Sequence, residues 1–486
     1  MMSANINKYR GVGISAALIL SSAAGRAATA PVQPPNILVI ISDDLTQSEL
    51  GCYGGRNVKT PNIDRLAGEG MHFTHAYVSM AMCTPCRTEL YTGLYPMSSG
   101  VAWNHAFANP GTRSMCHYLG DLGYRVGLTG KTHIQPPKTF PFIKVPGFEP
   151  NCVAITADYN CDGIRDFMKS KPDQPFCLVV ASVNSHMPWT VGDPSQFKLN
   201  ELKLPPNFAD TPEMRTDFSK YLAEIAVLDT QVGDVLRTLE ETGQAGNTMV
   251  VFTSEQGAQF PFNKWTCWEQ GMKTAFIVRW PGKVQAGSKS DALIQYADAV
   301  PTFIQAAGGN LSAVKLDGIS FLDVLLKREE GQRKYVYGMH NNIPEGPAYP
   351  IRTIRSKDFR YIRNLTPDAE YFEKHMEKPA ANEDVHWWES WKKATATDAH
   401  AMEMFNRYRR RPAEQLYKSD ADPYEMTDLA GNPEYAAVKA ELRKELEKWM
   451  GEQGDPGVSL DTQAAVDANR KAGAPAPKKK PQQPVE

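Results

Sequence analysis

Asp43 and Asp44 stand side by side directly after an apolar run, Asn36 to Ile41. Adjacent carboxylates repel unless a cation sits between them. Glu255 and Gln256 follow a second such run, Thr248 to Thr253. The four side chains offer an all-oxygen ligand set, which suits Ca²⁺ or Mg²⁺ and not zinc. An isolated Asp-Asp pair is equally at home as a helix cap or in a solvated turn. Lys131 and His133 follow the run Tyr124 to Leu128 across Thr129-Gly130, and His186 follows Phe176 to Ala181. Taken singly, such a lysine is an ordinary surface residue and such histidines are satisfied structural ones. Cys83-Thr84-Pro85-Cys86-Arg87 adds two thiols at redox-pair spacing. That chemistry requires the motif to open a helix just after a strand, and Met71 to Met82 shows no clear apolar strand run. Two buried structural thiols are the other reading.

The elements that must position these residues alternate. Short apolar runs (the four above and Thr274 to Trp280) are separated by helical patterns at Asn62 to Glu69, Arg87 to Thr92, Met214 to Thr242 and Asp298 to Ala307. In the long pattern Tyr221, Ile225, Leu228, Val232 and Leu236 recur every three or four residues. Continuous apolar strands alternating with helices predict an α/β fold with a large, mostly parallel mixed sheet flanked by helices. In such sheets the ligand crevice lies beyond the carboxyl ends of the strands. Four segments therefore aim carboxylates, an amide, a lysine and two histidines at one edge. After about Lys327 the pattern changes: Tyr335 to His340, Ile351 to Ile354 and Tyr361 to Asn364 read as short strands, with a helix at Glu434 to Met450. This predicts a smaller C-terminal subdomain of antiparallel sheet plus helix.

Cys83-x-Pro85-x-Arg87, with Leu90, Thr92 and Gly93 behind it, resembles the signature of the type I sulfatases, members of the alkaline phosphatase-like superfamily, in which the cysteine is oxidised to formylglycine. Further segments match the family in order: Pro35-Asn36-Ile37-Leu38 through Asp43-Asp44, Thr60-Pro61-Asn62-Ile63-Asp64-Arg65-Leu66-Ala67, Gly130-Lys131-Thr132-His133, Lys264 with Trp268-Glu269-Gln270-Gly271, Arg279-Trp280-Pro281-Gly282, Leu416-Tyr417, and Asp422-Pro423-x-Glu425. The resemblance implies that Cys83 becomes the formylglycine nucleophile and that Arg87 steadies it. It also implies that Asp43, Asp44, Glu255 and Gln256, completed by the modified Cys83, hold Ca²⁺, with Mg²⁺ the alternative. Lys131 and Lys264 would neutralise sulfate oxygens, His133 would take the proton that frees sulfate, and His186 would bind sulfate or protonate the leaving oxygen. A formylglycine-generating maturation enzyme is the implied partner.

The chain departs from the family at four places. Glu255-Gln256 stands where Asp-Asn or Asp-His is usual, Cys86 where serine or alanine is commoner, Leu94 for a basic residue and Ser99 for a histidine. Two rival functions share these residues: a formylglycine phosphodiester or phosphonate monoester hydrolase of the same fold, and a non-catalytic binder of sulfated glycans.

Charged residues make up 22% of the chain and the formal net charge is −2, which excludes general nucleic-acid binding; Lys478 to Lys480 read as solvated tail. Lys8 and Arg10, the apolar stretch Val12 to Ala24 and the small residues Ala27 and Ala30 predict a signal peptide over residues 1–30 and an exported protein, periplasmic or secreted, with no membrane span after cleavage. A catalytic domain over 31–330, the subdomain over 331–453 and a disordered tail over 454–486 complete the expected organisation. Of eight cysteines, Cys152 and Cys161 are the best disulfide candidates in an oxidising compartment. Trp265, Trp268, Tyr349, Trp387, Trp388 and Trp391 offer faces for sugar rings, although core packing is their commoner role. His340, Asn341, Asn342 and Arg352 are candidates for gripping hydroxyls or an acid group, so a sulfated carbohydrate is the expected substrate.

Overall fold

The computed structural model describes residues 34–155, 158–378 and 384–473. Its large sheet contains β1 (Asn36–Ser42), β2 (Met71–Tyr77), β3 (Arg125–Gly130), β4 (Ile143–Lys144), β5 (Phe176–Ala181), β6 (Thr248–Ser254), β7 (Lys273–Thr274), β8 (Phe276–Arg279) and β9 (Ser288–Gln295). The strand order is β4-β3-β5-β1-β6-β8-β2-β7, with β9 paired to β2. From β4 to β6 every pairing is parallel, whereas β8 runs antiparallel to both β6 and β2. The expected mostly parallel mixed sheet is therefore present. β1 lies at its centre, and Ile37 to Ile41 are at most 1% exposed. Burial on both faces explains why that strand reads as unbroken aliphatic sequence.

The helix Pro212–Glu241 covers one face. Thr211 caps it by accepting a hydrogen bond from Met214 N, and Pro212 occupies the first turn, where no amide donor is needed. Asp229 of this helix accepts from the backbone amides of Asn62 and Ile63 at the start of the helix Pro61–Glu69, while Asp64 accepts from Cys52 N. The Thr-Pro-Asn-Ile-Asp stretch is thus structural: it pins two helices together.

A second, fully antiparallel sheet, β10 (Val336–His340), β11 (Ile351–Arg355), β12 (Phe359–Asn364) and β13 (Glu414–Lys418), confirms the C-terminal antiparallel unit. Helix Ala436–Glu452 packs Leu442, Leu446 and Trp449 against Ile354, Tyr361 and Leu416 of this sheet. The two sheets are tied by buried charge. Glu269 accepts from Tyr77 Oη at 2.7 Å and Arg360 Nη2 at 2.6 Å and contacts Arg355 at 3.3 Å; Glu425 holds Arg360 and the amide of Glu269. The motif residues Glu269 and Glu425 are therefore anchors and take no part in chemistry.

Three expectations are corrected. Met71–Tyr77 is a strand, so Cys83 does open a helix shortly after one. The region expected to be disordered from residue 454 continues as ordered structure to Gly473: helix Gln463–Gly473 buries Val466, and Asn469 bonds the backbone of Gly100 and Phe107. Cys152 and Cys161 are both free thiols. The expected signal peptide and Lys478 to Lys480 lie outside the described residues. No helix among the described residues is long and apolar enough to cross a membrane.

Candidate active site

Strand register builds the site. β1 and β6 run parallel with Ser42 opposite Ser254, so the residues that follow, Asp43-Asp44 and Glu255-Gln256, leave the sheet side by side. Glu255 N donates to Ser42 O at 3.1 Å, which carries the pairing one step past the strands. Asp44 has φ +50°, a conformation that turns its carboxylate back toward the crevice. The helix Cys83–Thr92 points its first residue at the same spot, and every residue in it is buried. Pro85 is tolerated because it lies in the first turn. Arg87, one turn on, shares the face of Cys83.

These groups form three buried ion pairs around Cys83. Lys131 Nζ lies 2.5 Å from Asp43 Oδ2 and 4.0 Å from Glu255 Oε2, Lys264 Nζ lies 2.6 Å from Asp44 Oδ2, and Arg87 pairs with Glu255. Cys83 Sγ is 3.7 Å from Asp43 Oδ1 and 3.4 Å from Gln256 Nε2. Burial alone would raise the Asp43 carboxyl, but Lys131, His186, Glu255 and Arg87 together hold it well below the usual range. Burial, with the charges of Asp43 and Cys83, pushes Glu255 well above it. Two neighbouring carboxylates that repel each other split this way when the nearby cations favour one of them more than the other.

The residues fit a divalent cation. Ligand atoms of Asp43, Asp44, Cys83 and Glu255, all buried, lie within 4.8 Å of one another. Gln256 Oε1 is buried with no hydrogen-bond partner, while its Nε2 donates to Asp44 Oδ1 at 2.6 Å. Turning that terminal amide over would present an oxygen to the same hollow. The extra methylene in Glu255 and Gln256 is absorbed by the side chains and leaves the backbone in register.

Above these pairs opens a cleft of about 610 Å³ lined by Cys83, Lys131, His133, His186 and Lys264 together with residues named below. His186 is 11% exposed at its side chain, and desolvation and Lys264 lower its pKa against the pull of Asp44. Its Nδ1 donates to Met187 O at 2.5 Å, leaving Nε2 as an acceptor 3.2 Å from Lys264 Nζ. His133 is also held neutral, by burial, Lys131 and His105. His133 Nε2 lies 2.9 Å from His105 Nδ1, and its own Nδ1 is buried without a partner.

All the catalytic and metal residues expected from the sequence, namely Cys83, Arg87, Lys131, His133, His186, Lys264, Asp43, Asp44, Glu255 and Gln256, thus converge. His340 and Arg352 do not. Arg352 is fully buried in a bidentate pair with Asp455, and His340, also fully buried, bonds Asn342. Asn341 and Asn342 hold backbone carbonyls instead of a ligand. Trp268, Tyr349, Trp387, Trp388 and Trp391 pack in the core; of the six aromatic candidates only Trp265 lines the cleft. Cys86 is a buried free thiol whose pKa burial pushes well up. Leu94 and Ser99 lie outside the lining. Sequence reasoning missed Asn104, His105, Cys152 and Gln259, which reach the cleft from loops without a motif, and His375, which reaches it from the short helix Lys374–Glu377.

A buried thiol stands beside an acidic cation cradle at the carboxyl edge of a mixed sheet, and the family comparisons assign this arrangement to the alkaline phosphatase-like class of hydrolases. The family model described as Sulfatase matches residues 35–309, and that of the N-sulphoglucosamine sulphohydrolase C-terminal region matches 257–386. An ulvan-active sulfatase of Formosa agariphila is 33% identical over 87% of this chain and 81% of its own length. The human N-sulphoglucosamine sulphohydrolase is 26% identical over 88% and 92%. Among solved structures, one bound to its substrate D-glucosamine-2-N,6-O-disulfate superposes with a TM-score of 0.65 at 20% identity, covering 88% of this chain and 100% of that one, and supports the fold. The chain belongs to the sulfatase family and is a sulfuric ester hydrolase.

Proposed function

We propose that this protein is an exported sulfatase that removes sulfate, as ester or sulfamate, from a sulfated carbohydrate, with Cys83 matured to formylglycine and Ca²⁺ held by Asp43, Asp44, Glu255 and Gln256. The observation that carries this reading is the convergence of Cys83 with three carboxylate–cation pairs at the floor of one cleft. Once matured, position 83 would supply two hydroxyls, one to attack sulfur and one whose deprotonation expels sulfate. The cation, when bound, supplies a Lewis acid that draws charge from a sulfate oxygen.

The chain's own residues do the rest. Lys131 and Lys264 flank the Asp pair and present ammonium groups to a tetrahedral anion in a water-poor site, where they count most in the transition state. Arg87 donates to Lys131 O at 3.0 Å and so fixes both its own guanidinium and the lysine backbone. His133 Nε2 shares one proton with His105 Nδ1, and with that proton on Nε2 the buried, unpartnered Nδ1 of His133 is the lone pair that takes a proton. His105 is a positioning residue that sets this tautomer. His186 Nε2 and Lys264 Nζ, side by side, place a proton donor next to the leaving oxygen.

Support for a sugar substrate comes from the named relatives, which act on ulvan and on N-sulphoglucosamine, and from a cleft large enough for a sugar ring. Support for export comes from Lys8, Arg10 and the stretch Val12 to Ala24. A sulfate-release screen over defined sulfated mono- and disaccharides tests the reading, with aryl sulfate and aryl phosphate as references. Release from at least one sugar is expected. Activity confined to aryl sulfates would overturn the carbohydrate assignment, and a preference for aryl phosphate would overturn the sulfatase reading in favour of the phosphohydrolase.

A further inference from the structure

Between the end of β5 and the long helix Pro212–Glu241 runs a buried polar chain that no step above uses. Glu224 and Gln231, on one face of the helix, are each 3% exposed, and Ser182 and Asn184, just past the strand, are each 1% exposed. Ser182 Oγ donates to Gln231 Oε1 at 2.6 Å, Gln231 Nε2 donates to Asn184 Oδ1 at 3.0 Å, and Asn184 Nδ2 donates to Glu224 Oε2. The other carboxylate oxygen, Glu224 Oε1, accepts from the backbone amides of Thr190 at 2.9 Å and Val191 at 3.1 Å. The end of the chain fixes its direction. An ionised carboxylate only accepts, so Asn184 must turn its nitrogen toward Glu224 and its oxygen toward Gln231.

These bonds converge on the segment that carries His186. Glu224 grips it on both sides, through the Asn184 side chain before the histidine and through two amides after it. At its start the segment is also joined to the turn that holds the metal ligands: Asp43 N donates to Asn184 O at 2.9 Å, and Ser185 N donates to Asp43 O at 2.7 Å. Those are backbone bonds and do not depend on the side chain at position 184 or 224. Between the two grips, His186 Nε2 lies 3.5 Å from Asp44 Oδ2 and 3.2 Å from Lys264 Nζ. Glu224 does not line the cleft, so it acts through this segment and not on substrate. The three groups that bond its oxygens are neutral N–H donors, and burying a carboxylate against such donors costs more than burying an apolar side chain. What the carboxylate accomplishes against that cost is the closure of the segment around His186.

We propose that Glu224, through Asn184 and the amides of Thr190 and Val191, is a positioning residue that sets His186 Nε2 beside Lys264 and so aligns the proton donor for the leaving oxygen. This rests on the sulfated-carbohydrate reading and deepens the role it gives His186. A sugar leaves as a strong base and needs that proton, whereas a nitrophenolate departs without one. A displaced His186 therefore slows sugar sulfates and spares aryl sulfates. General loosening of the site would slow both.

The test compares kcat of the matured enzyme on a nitrophenyl sulfate and on a sugar sulfate that the parent enzyme cleaves. It is run at about pH 8, above the value of about 7 to which burial pushes the Glu224 carboxyl. Glu224→Gln sets two amide nitrogens against each other, and Asn184→Asp sets two carboxylates against each other. Each should lower kcat on the sugar at least about tenfold and on the aryl sulfate less than about threefold. Combined, they restore the match: the amide now at position 224 donates to the carboxylate at position 184, which still accepts from Gln231. Sugar turnover by the double variant should return to within about threefold of the parent. Equal loss on both substrates, unaltered sugar turnover in Glu224→Gln, or a double variant that combines both losses would overturn the proposal. If a single variant does not fold, the double variant decides alone: sugar turnover near that of the parent supports the positioning role, and its loss overturns it. His186→Ala should show the same bias against the sugar; a bias missing there and in Glu224→Gln refutes the role of His186 and the positioning with it. Failure of the sulfatase reading is seen separately, in the unaltered parent, as an absence of sulfate release from any substrate.

Discussion

Replacing Lys131 by Met separates what the lysine does for the fold from what it does for the reaction. The ammonium is buried, 2.5 Å from Asp43 and 4.0 Å from Glu255, and nothing else pairs Asp43 as closely. At about 4 Å two charges in a partly screened interior interact by roughly 4 kcal/mol. Stranding one partner of a buried pair typically costs about 3–5 kcal/mol. Lys131→Met should therefore lower stability by about that amount. The same change frees Asp43 for a divalent ion, so millimolar Ca²⁺ should restore most of the lost stability. It should not restore turnover, because the positive charge facing the sulfate is gone, a loss worth on the order of 10²–10³ in kcat for one such donor. Thermal unfolding with and without Ca²⁺, alongside sulfate release, gives both readings on one preparation. A variant that Ca²⁺ fails to rescue, or one that retains more than a tenth of kcat, would refute the assignment of Lys131 to both roles.

Other outcomes follow from the same geometry. Glu255→Ala should abolish cation binding and sulfate release together, measured by metal analysis of the dialysed protein; an active, metal-free variant contradicts the ligand set. Glu269→Gln leaves Arg355 and Arg360 undercompensated and should cost about 3–5 kcal/mol in denaturant unfolding, with kcat of the folded fraction unaltered. His340 is buried, and burial holds its pKa down at about 3 against an ordinary value of 6.5. The unfolded chain takes up that proton first, so this residue removes stability as pH falls from 6.5 to about 3, by about 1.4 kcal/mol per pH unit. His340→Leu should flatten that part of the stability profile, and an unchanged slope would show that the imidazole titrates normally.

Much of the architecture is legible in the sequence because β1, β5 and β6 are buried on both faces and had to be aliphatic throughout. Their ends then revealed the site, since charged residues directly after such runs can only face the crevice. β2, β9 and β13 escaped the same reasoning. Their sequences, MHFTHAY, SKSDALIQ and EQLYK, satisfy polar side chains through specific partners, as His75 does with Asp420, and periodicity cannot register a partner 345 residues away. The helix Gln463–Gly473 was hidden by flanking Pro, Gly and Asp, although one buried valine and one asparagine suffice to dock it. His340 and Arg352 offer themselves as ligand groups in the sequence because residue type alone does not distinguish a buried, satisfied side chain from an exposed one, whereas core packing is the commoner role of the tryptophans and the one most of them take. His105 comes from a loop and His375 from a four-residue helix, and only the fold determines where either lies.

The most direct test of the account is the mass of the peptide containing Cys83, taken from enzyme that releases sulfate and was made in a host able to mature it. Conversion to formylglycine lowers the residue mass by about 18 Da, and the modified peptide should rise in proportion to specific activity. Fully active enzyme whose peptide carries only unmodified Cys83 would contradict the central claim.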